Sequence, residues 1–244
     1  MNTLADYKCE CFEFDQTEAI VVFPKEPREK RQWALKTEYW GAFPEIELML
    51  LDKGFHIVHL KTKNRWANRE DCDRKYNFVQ YVAEKYNLNK KCVLVGMSCG
   101  GAQAVKYTSF YPQTVACMFI DAPVIDFCSI PGKHNADEYF NAESVWENEF
   151  MKAYPDAQKE SLRNMDIHPI SVAEKLLLNK IPIVMSYGTH DLTVPYEENG
   201  KKLAEVYGGS ELLKVFEVRF RGHHPHCTFY DNGKIVDFIL KHCE

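Results

Sequence analysis

The chain alternates between short apolar runs and longer polar stretches with helical periodicity. Six of the runs are rich in β-branched residues and apolar along most of their length: residues 19–23, 55–60, 92–95, 116–120, 181–185 and 213–218. Such runs are typical of strands that are buried on both faces, as in a parallel sheet covered by helices. Their alternation with helices predicts an α/β fold with a mostly parallel, doubly wound sheet.

Helix signals occupy the gaps between these runs. The apolar segment 44–54 begins with a proline and ends with a glycine, which favours a short buried helix. Phe78, Val82 and Tyr86 recur every four residues and mark one apolar face of a second helix. Residues 235–240 show the i, i+3, i+4 pattern and predict a terminal helix over the sheet.

One interval breaks this rhythm. About sixty residues separate Asp121 from Ile181, more than an ordinary crossover connection requires. The interval is rich in aromatic and charged side chains, so we expect an insertion at about 126–178 that forms a small helical cap over an active-site mouth. An irregular surface excursion is the alternative. Residues 1–244 are otherwise expected to form a single domain.

Composition narrows the possible functions. With 244 residues and 45% hydrophobic content, the chain suits one well-buried α/β core. Its 30 Lys and Arg residues are interspersed with 35 Asp and Glu, so we expect no nucleic-acid partner. We expect no membrane association and a cytoplasmic location, because the sequence shows neither an apolar span nor a signal-peptide pattern. The nine cysteines, an odd number, indicate reduced thiols rather than a disulfide framework.

A serine in the pattern Gly-x-Ser-x-Gly directly follows the run 92–95. It is Ser98, flanked by Gly96 and Gly100, and a helix-compatible stretch follows it. This context predicts a nucleophile elbow, the strained strand-to-helix turn that holds a serine hydroxyl above a parallel sheet. A turn this tight has no room for a Cβ at either glycine.

A serine hydroxyl needs a base to remove its proton, and the base needs an acid to hold it in the right tautomer. Asp191 follows the run 181–185 and His223 follows the run 213–218, so each comes after a predicted strand. The order Ser, Asp, His is that of the α/β-hydrolases. We therefore expect Ser98 as nucleophile, His223 as base and Asp191 as orienting acid.

Other residues compete for these roles. Asp121, at the end of the run 116–120, is the alternative orienting acid. His224 is the alternative base, and His226 is expected to line the pocket or to pack within its loop. A metal site built from these histidines and Cys227 is disfavoured, because adjacent residues cannot easily converge on one ion. We therefore expect no metal and no cofactor.

Stabilising the oxyanion of the tetrahedral intermediate requires backbone N–H donors. The N–H of Cys99, at the start of the predicted helix, is expected to be the first donor. The second is expected after the run 19–23, where Lys25 or Glu26 is favoured because Pro24 has no N–H. The Cys99 thiol is an alternative nucleophile, but its place past the elbow disfavours it.

Five segments together resemble bacterial serine α/β-hydrolases related to the esterase and prolyl-oligopeptidase-type catalytic domains. The segments are 33–44, 96–101, 121–126, 188–195 and 222–226. The resemblance extends over nearly the whole chain. It implies the α/β-hydrolase fold and ester chemistry more firmly than it implies a substrate.

The leading hypothesis is a metal-independent serine hydrolase that cleaves a small carboxylic ester through an acyl-enzyme, with an acylated carbohydrate or plant-derived ester as the expected kind of substrate. A peptidase of the prolyl-oligopeptidase type is the enzymatic alternative, and a non-catalytic ligand-binding or sensor protein is the other. The candidate substrate-binding residues are Trp33, Glu38, Trp40, Trp146, His224 and His226. The expected partner is the small-molecule ester, and the oligomeric state is left open.

Overall fold

The computed structural model describes residues 3–129, 146–223 and 229–243. Its strands are β1 (Cys9–Phe14), β2 (Thr17–Val22), β3 (Trp33–Lys36), β4 (His56–Leu60), β5 (Cys92–Met97), β6 (Val115–Asp121), β7 (Ile183–Gly188) and β8 (Leu213–Val218). Within the described residues they form one eight-stranded sheet in the order β1-β2-β4-β3-β5-β6-β7-β8. Strands β3 to β8 are parallel to one another, whereas β2 is antiparallel to both of its neighbours.

The helices are α1 (Glu45–Asp52), α2 (Arg69–Lys85), α3 (Cys99–Phe110), α4 (Met151–Ala153), α5 (Ala173–Leu178), α6 (Gly200–Tyr207) and α7 (Phe229–His242). Short 3-10 helices lie at Leu4–Asp6, Pro112–Thr114, Phe127–Ser129, Lys159–Asn164, Pro169–Val172 and Tyr196–Glu198, and a π-helix at Trp146–Phe150. The three helices predicted from periodicity correspond to α1, α2 and α7. Among the described helices, none has both the length and the hydropathy that crossing a membrane requires.

The sheet separates two apolar cores. Successive residues of a strand point to opposite faces, so Leu94 of β5 belongs to the core beneath α2 and α3, whereas Val93 and Val95 belong to the core beneath α1 and α7. Helices therefore cover both faces of a largely parallel sheet. This confirms the predicted fold class, a mostly parallel, doubly wound α/β sheet.

All six apolar runs coincide with strands, but β1 and β3 were not predicted. Residues of β1 alternate between exposed and half-buried because it is an edge strand, so it lacks a continuous apolar run. Strand β3 has only four residues and ends in Lys36, which is 1% exposed. The Lys36 ammonium pairs with the buried carboxylate of Glu47, which permits a charged residue inside a buried strand.

Aromatic residues of the insertion pack at the carboxyl edge of the parallel strands. The rings of Trp146 and Phe150 stack with centroids 5.3 Å apart, and Trp66, in the loop after β4, meets Phe150 edge to face at 5.0 Å. All three share an apolar cluster with Cys99, the first residue of α3. The described part of the insertion thus lies against the helix that follows Ser98, while its bounds at 126–178 and its role as a cap stay predictions.

The two ends of the insertion are joined by hydrogen bonds. The Ile170 N–H donates to the Ile125 carbonyl at 3.0 Å. The buried Asn199 side chain accepts from the amides of Ile125 and Asp126 at 2.9 and 3.0 Å. The residues where the insertion leaves the sheet are therefore held directly beside those where it returns.

Candidate active site

Ser98 forms the turn between β5 and α3. Its φ of 54° and ψ of −122° lie outside the regions that L-residues ordinarily adopt. The Ser98 N–H donates to the Asp121 carbonyl at 2.9 Å. The Ser98 carbonyl accepts from the amides of Gly101 and Val124 at 2.9 and 3.0 Å. Backbone on both sides thus holds the strained conformation in place.

The glycines of the motif allow the backbone segments to approach this closely. A Cβ on Gly96 would lie 2.4 Å from the Gly100 carbonyl oxygen, and one on Gly101 would lie 2.5 Å from the Pro123 ring. A Cβ on Gly100 would lie 3.0 Å from the Thr37 hydroxyl. The predicted steric reason for the glycines at 96 and 100 therefore matches the packing.

Ser98, His223 and Asp191 form a continuous chain of hydrogen bonds. His223 Nε2 lies 3.1 Å from Ser98 Oγ, and His223 Nδ1 lies 2.8 Å from Asp191 Oδ2. Because the carboxylate accepts from Nδ1–H, Nε2 is left as the acceptor for the serine proton. The Asp191 side chain is 1% exposed and the His223 side chain 22%, so the base faces solvent while the acid does not.

Local backbone holds the Asp191 carboxylate in its buried position. Its second oxygen, Oδ1, accepts from the amides of Thr193 and Val194 at 2.9 and 2.8 Å. Hydrogen bonds to the charged form offset the cost of burying a carboxylate. Asp191 is thereby fixed with one oxygen directed at His223.

Asp121, the alternative acid, has a different partner. Its Oδ1 accepts from the Ser186 hydroxyl at 2.7 Å, across the pairing of β6 with β7. His223 meets the carboxylate of Asp191 instead. The geometry therefore favours Asp191 as the orienting acid.

Thr189 links the loop of the acid to the loop of the base, a contact that the sequence analysis did not identify. Its amide donates to the Val218 carbonyl at 3.1 Å, and its hydroxyl accepts from the Phe220 amide at 2.9 Å. The His190 amide donates to the Arg221 carbonyl at 2.8 Å. These bonds fix the distance between the loops that carry Asp191 and His223.

Lys25, the expected second oxyanion donor, lies at the wrong edge of the sheet. Strand β2 is antiparallel to β4, with Val22 opposite Ile57, so the chain leaves β2 where the parallel strands begin. There the Glu26 carbonyl and Arg28 lie beside Gly54, two residues before β4. Ser98 stands at the other end of these strands, and the prediction of Lys25 or Glu26 as donor is wrong for this reason.

The loop after β3 lies beside the elbow instead. The Thr37 hydroxyl donates to the Gly100 carbonyl at 2.7 Å, and the Thr37 amide donates to the Val95 carbonyl at 3.0 Å. Tyr39, two residues on, has a positive φ of 55°. The sequence analysis named Glu38 and Trp40 in this loop as candidate substrate-binding residues, but it missed β3 and therefore did not place the loop beside Ser98. Polar Thr37 after the apolar start of the strand was an available signal.

Glu38 joins three elements around this loop. Its Oε2 accepts from the Thr62 hydroxyl, after β4, at 2.6 Å, and from the side-chain amide of Gln103 on α3. The carboxylate therefore clamps the loop against the elbow helix. Glu38, predicted to bind substrate, lies at the correct edge of the sheet.

The Cys99 side chain does not have the surroundings of a nucleophile. It is 5% exposed, and burial raises the pKa of its thiol above the ordinary value. A buried thiol with a raised pKa carries little reactive thiolate. The geometry thus disfavours the Cys99 thiol as the nucleophile, and the role of the Cys99 amide stays a prediction.

Two of the candidate substrate-binding tryptophans occupy different environments. Trp33 is fully buried at the start of β3, and its Nε1–H donates to the Asn89 carbonyl at 2.8 Å. It lies at the edge away from Ser98, so its predicted role in substrate binding is wrong. Trp40 follows β3 at the carboxyl edge and stacks on His59 with ring centroids 5.4 Å apart.

Of the remaining candidate substrate-binding residues, only Trp146 lies within the described residues. Trp146 is 5% exposed and belongs to the cluster against α3, so it shapes the surroundings of the elbow by packing. His224 and His226 lie outside the described residues.

One group of metal-ligating side chains occurs within the described residues. Ligand atoms of Asp126, Cys128 and His168 lie within 4.8 Å of one another. Both His168 nitrogens already have backbone partners, the Phe127 amide at 3.1 Å and the Leu162 carbonyl at 2.8 Å. Asp126 also pairs with the Lys202 ammonium. These bonds favour a clamp at the root of the insertion over a metal centre.

A parallel sheet with a strained serine elbow, a buried acid and a histidine at its carboxyl edge is the α/β-hydrolase arrangement. A carbohydrate esterase from gut microbiota, solved in truncated form, has a TM-score of 0.72 at 16% identity, covering 97% of this chain and 96% of its own. Est1E from Butyrivibrio proteoclasticus has a TM-score of 0.69 at 13% identity, covering 96% and 98%. Both show that the fold is that of the α/β-hydrolases.

A peptidase shares the same fold. The puromycin-hydrolyzing peptidase of Mycobacterium tuberculosis has a TM-score of 0.69 at 12% identity, and the match covers 97% of this chain but only 38% of the peptidase. No curated protein sequence matches the chain. The model of the Esterase family matches residues 58–238, well over half of the chain. The chain belongs to the Esterase family.

Proposed function

We propose that the chain is a serine hydrolase that cleaves a small carboxylic ester. The observation that carries this proposal is the hydrogen-bond chain from Ser98 through His223 to Asp191, at 3.1 and 2.8 Å. Ser98 Oγ attacks the ester carbonyl carbon while His223 Nε2 takes its proton, and Asp191 stabilises the imidazolium that forms. His223 then protonates the departing alcohol, and an acyl group is left on Ser98.

Backbone amides stabilise the oxyanion in this proposal. The N–H of Cys99, at the start of α3, is one donor, and the helix dipole adds to its field. The N–H of Tyr39, in the loop that Thr37 and Glu38 hold beside the elbow, is the other. In the second half of the reaction His223 removes a proton from water, the water attacks the acyl carbon, and Ser98 is regenerated.

Membership of the Esterase family supports an ester as the substrate. The similarity to a carbohydrate esterase makes an acylated carbohydrate the first natural substrate to test, with plant-derived esters next. The triad alone does not separate esters from amides, since both reactions pass through the same kind of tetrahedral oxyanion. A direct comparison of the two bond types is therefore part of the test.

Labelling with a fluorophosphonate tests the nucleophile. We expect the folded protein to be labelled on Ser98 and the Ser98→Ala variant to lose both labelling and turnover. Ser109→Ala is the matched control, because Ser109 is also on α3 but its hydroxyl donates to the Lys106 carbonyl at 2.7 Å. Thermal unfolding checks that both variants fold. A folded wild type that binds a ligand but takes no label and turns nothing over would instead be a binding or sensor protein.

A substrate panel tests the bond. Short-chain nitrophenyl esters and acetylated sugars should be hydrolysed faster than aminoacyl anilides. Faster cleavage of the anilides would assign a peptidase. Turnover that survives Ser98→Ala and disappears with a chelator would overturn the serine mechanism.

A further inference from the structure

Two cysteine thiols meet at the amino edge of the sheet, at the opposite end of the strands from Ser98. Cys117 on β6 and Cys243, directly after α7, have their sulfur atoms 3.6 Å apart. The Cys243 carbonyl accepts from the Gln32 side-chain amide at 3.0 Å, and its N–H donates to the Leu240 carbonyl at 3.3 Å. These two bonds hold the Cys243 backbone beside β6.

The two thiols differ in access. Cys117 is completely buried, whereas Cys243 is half-buried and lines a cavity of about 160 Å³. Gln32 and His242 also line this cavity, and within the described residues Gln32 Oε1 and His242 Nε2 have no hydrogen-bond partner. Lys91 adds a positive charge to the wall. An anionic reagent that places one end in this cavity therefore meets Cys243 before Cys117.

We propose that Cys117 and Cys243 are a disulfide-forming pair that low-molecular-weight disulfides oxidise by way of Cys243. The Cys243 thiolate attacks one sulfur of the reagent, whose S–S bond breaks, and the first reagent thiolate leaves with the proton that Cys243 released. Cys117 then loses its proton and its sulfur attacks Cys243 Sγ, which expels the second reagent thiolate. Two protein thiols are oxidised to one disulfide, and the reagent is reduced to two thiols.

The surroundings of the thiols set this order. The hydrogen bond with Cys243, together with burial, raises the pKa of Cys117, so it is a poor first nucleophile and suits the second, intramolecular step. Cys92, also near this edge, has its thiol directed at the Thr114 carbonyl at 3.6 Å. Cys9 and Cys11 are exposed on β1 and serve as a reference for simple surface modification.

Oxidised glutathione is the probe for the test. The folded protein is incubated with it, alkylated, digested without reduction and analysed by mass spectrometry. We expect wild type to yield a peptide pair linked through Cys117 and Cys243. Cys117→Ser should stop at a glutathione adduct on Cys243, and Cys243→Ser should form neither product. Cys11→Ser, the control, should keep the link.

A second readout is stability. The bridge would tie the end of α7 to β6, so oxidised wild type should unfold at a higher temperature than reduced wild type, and Cys243→Ser should show no such shift. Wild type in which only Cys9 and Cys11 are modified would overturn the proposal, as would a Cys117→Ser variant with no adduct on Cys243. Should either variant fail to fold, the presence or absence of the linked peptide in wild type decides the matter alone. Fluorophosphonate labelling of Ser98 is measured separately and does not affect this outcome.

Discussion

The two edges of the parallel strands share one sheet but differ in what they bury. At the carboxyl edge, Asp191 and Asp121 are buried with polar partners, and Ser98 is held in a strained turn. At the amino edge, the indole of Trp33 and the thiol of Cys117 are buried in regular strands beside a cavity. Polar groups aligned by loops can do chemistry on a substrate, whereas the opposite edge chiefly stabilises the sheet.

This difference has a topological cause. Six neighbouring strands run in the same direction, so their following loops converge at one edge. Ligands of open α/β sheets bind outside the carboxyl ends of the strands for this reason. A residue's position therefore depends on strand direction as well as on its distance along the sequence.

The largest expected effect is a difference in kcat between substitutions of two buried carboxylates at the carboxyl edge, Asp191 and Asp121. Asp191→Asn should lower kcat by about 10,000-fold, because the amide no longer holds His223 in the tautomer that accepts the serine proton. Asp121→Asn should leave kcat near wild type, since the Asp121 carboxylate accepts from the Ser186 hydroxyl, whereas His223 bonds to Asp191. Steady-state kinetics on a nitrophenyl ester measure both. A larger loss in Asp121→Asn would reverse the assignment of the acid.

The next effect is the pH dependence of stability that arises from two buried histidines of β4, one near each edge of the sheet. Burial lowers the pKa of His56 and of His59, both on β4, from 6.5 to about 4. Between these values the unfolded chain binds protons that the folded chain does not, so stability falls as pH drops from 6.5 to 4. Each histidine contributes up to about 3 kcal/mol of this loss.

His59→Asn tests this pH dependence. The asparagine amide can still donate to the Lys36 carbonyl, which His59 Nδ1 meets at 2.8 Å, but it does not titrate. Urea unfolding between pH 4 and pH 7 should therefore give a flatter profile for the variant, with His56 still contributing. An unchanged slope would show that His59 binds its proton in the folded protein as readily as in the unfolded one.

Alanine substitutions at Gly96 and Gly233 compare how tightly the elbow and helix α7 are packed. Gly96→Ala should destabilise the protein by about 1 to 3 kcal/mol, because its Cβ meets the Gly100 carbonyl. Gly233→Ala in α7 meets nothing within 4 Å and should stabilise it by up to about 1 kcal/mol. Thermal and urea unfolding report both values. Equal tolerance at the two positions would mean that the elbow is less tightly packed than its contacts indicate.

The smallest effect tests the link between the acid and base loops. Thr189→Val removes the hydroxyl that accepts from the Phe220 amide and should lower kcat about tenfold with little change in KM. Thr189→Ser keeps the hydroxyl and should restore most of the loss. If serine and valine variants behave alike, the hydroxyl does not position the loops.

Particular residues show how much of the fold and of the candidate site could be predicted from the sequence. The buried strands β5 and β7 contain apolar runs, and Ser98 and Asp191 follow them. His223 instead follows β8, an edge strand whose residues are mostly half-buried or exposed. Lys25 also follows such a run, yet it lies at the far edge because β2 is antiparallel to β4. Strand direction depends on pairing between distant segments, which hydrophobic periodicity does not encode.

The loop after β3 shows a second kind of limit. Lys36 is buried because its ammonium pairs with Glu47, eleven positions later, and donates to the Ala42 carbonyl. In sequence the strand therefore looks too polar and too short. With β3 unrecognised, the second oxyanion donor was sought after β2, although Glu38 and Trp40 in the loop after β3 were already candidate substrate-binding residues. Trp33 was predicted to bind substrate but is buried at the start of β3. The sequence does not separate these two cases, because an aromatic side chain suits a ligand pocket and a buried strand equally well.

Because the two ends of the insertion are joined, the length of the chain between them can change at little cost in stability. Because Ile170 bonds to Ile125 and Asn199 fixes the same turn, the sheet meets the same two backbone ends whatever lies between them. Lengthening a surface loop whose ends are already pinned costs little free energy. The ends of the stretch 126–169 are thus held together independently of its length, and a change of length between them should cost little stability as long as Trp146 and Phe150 keep their packing against Cys99.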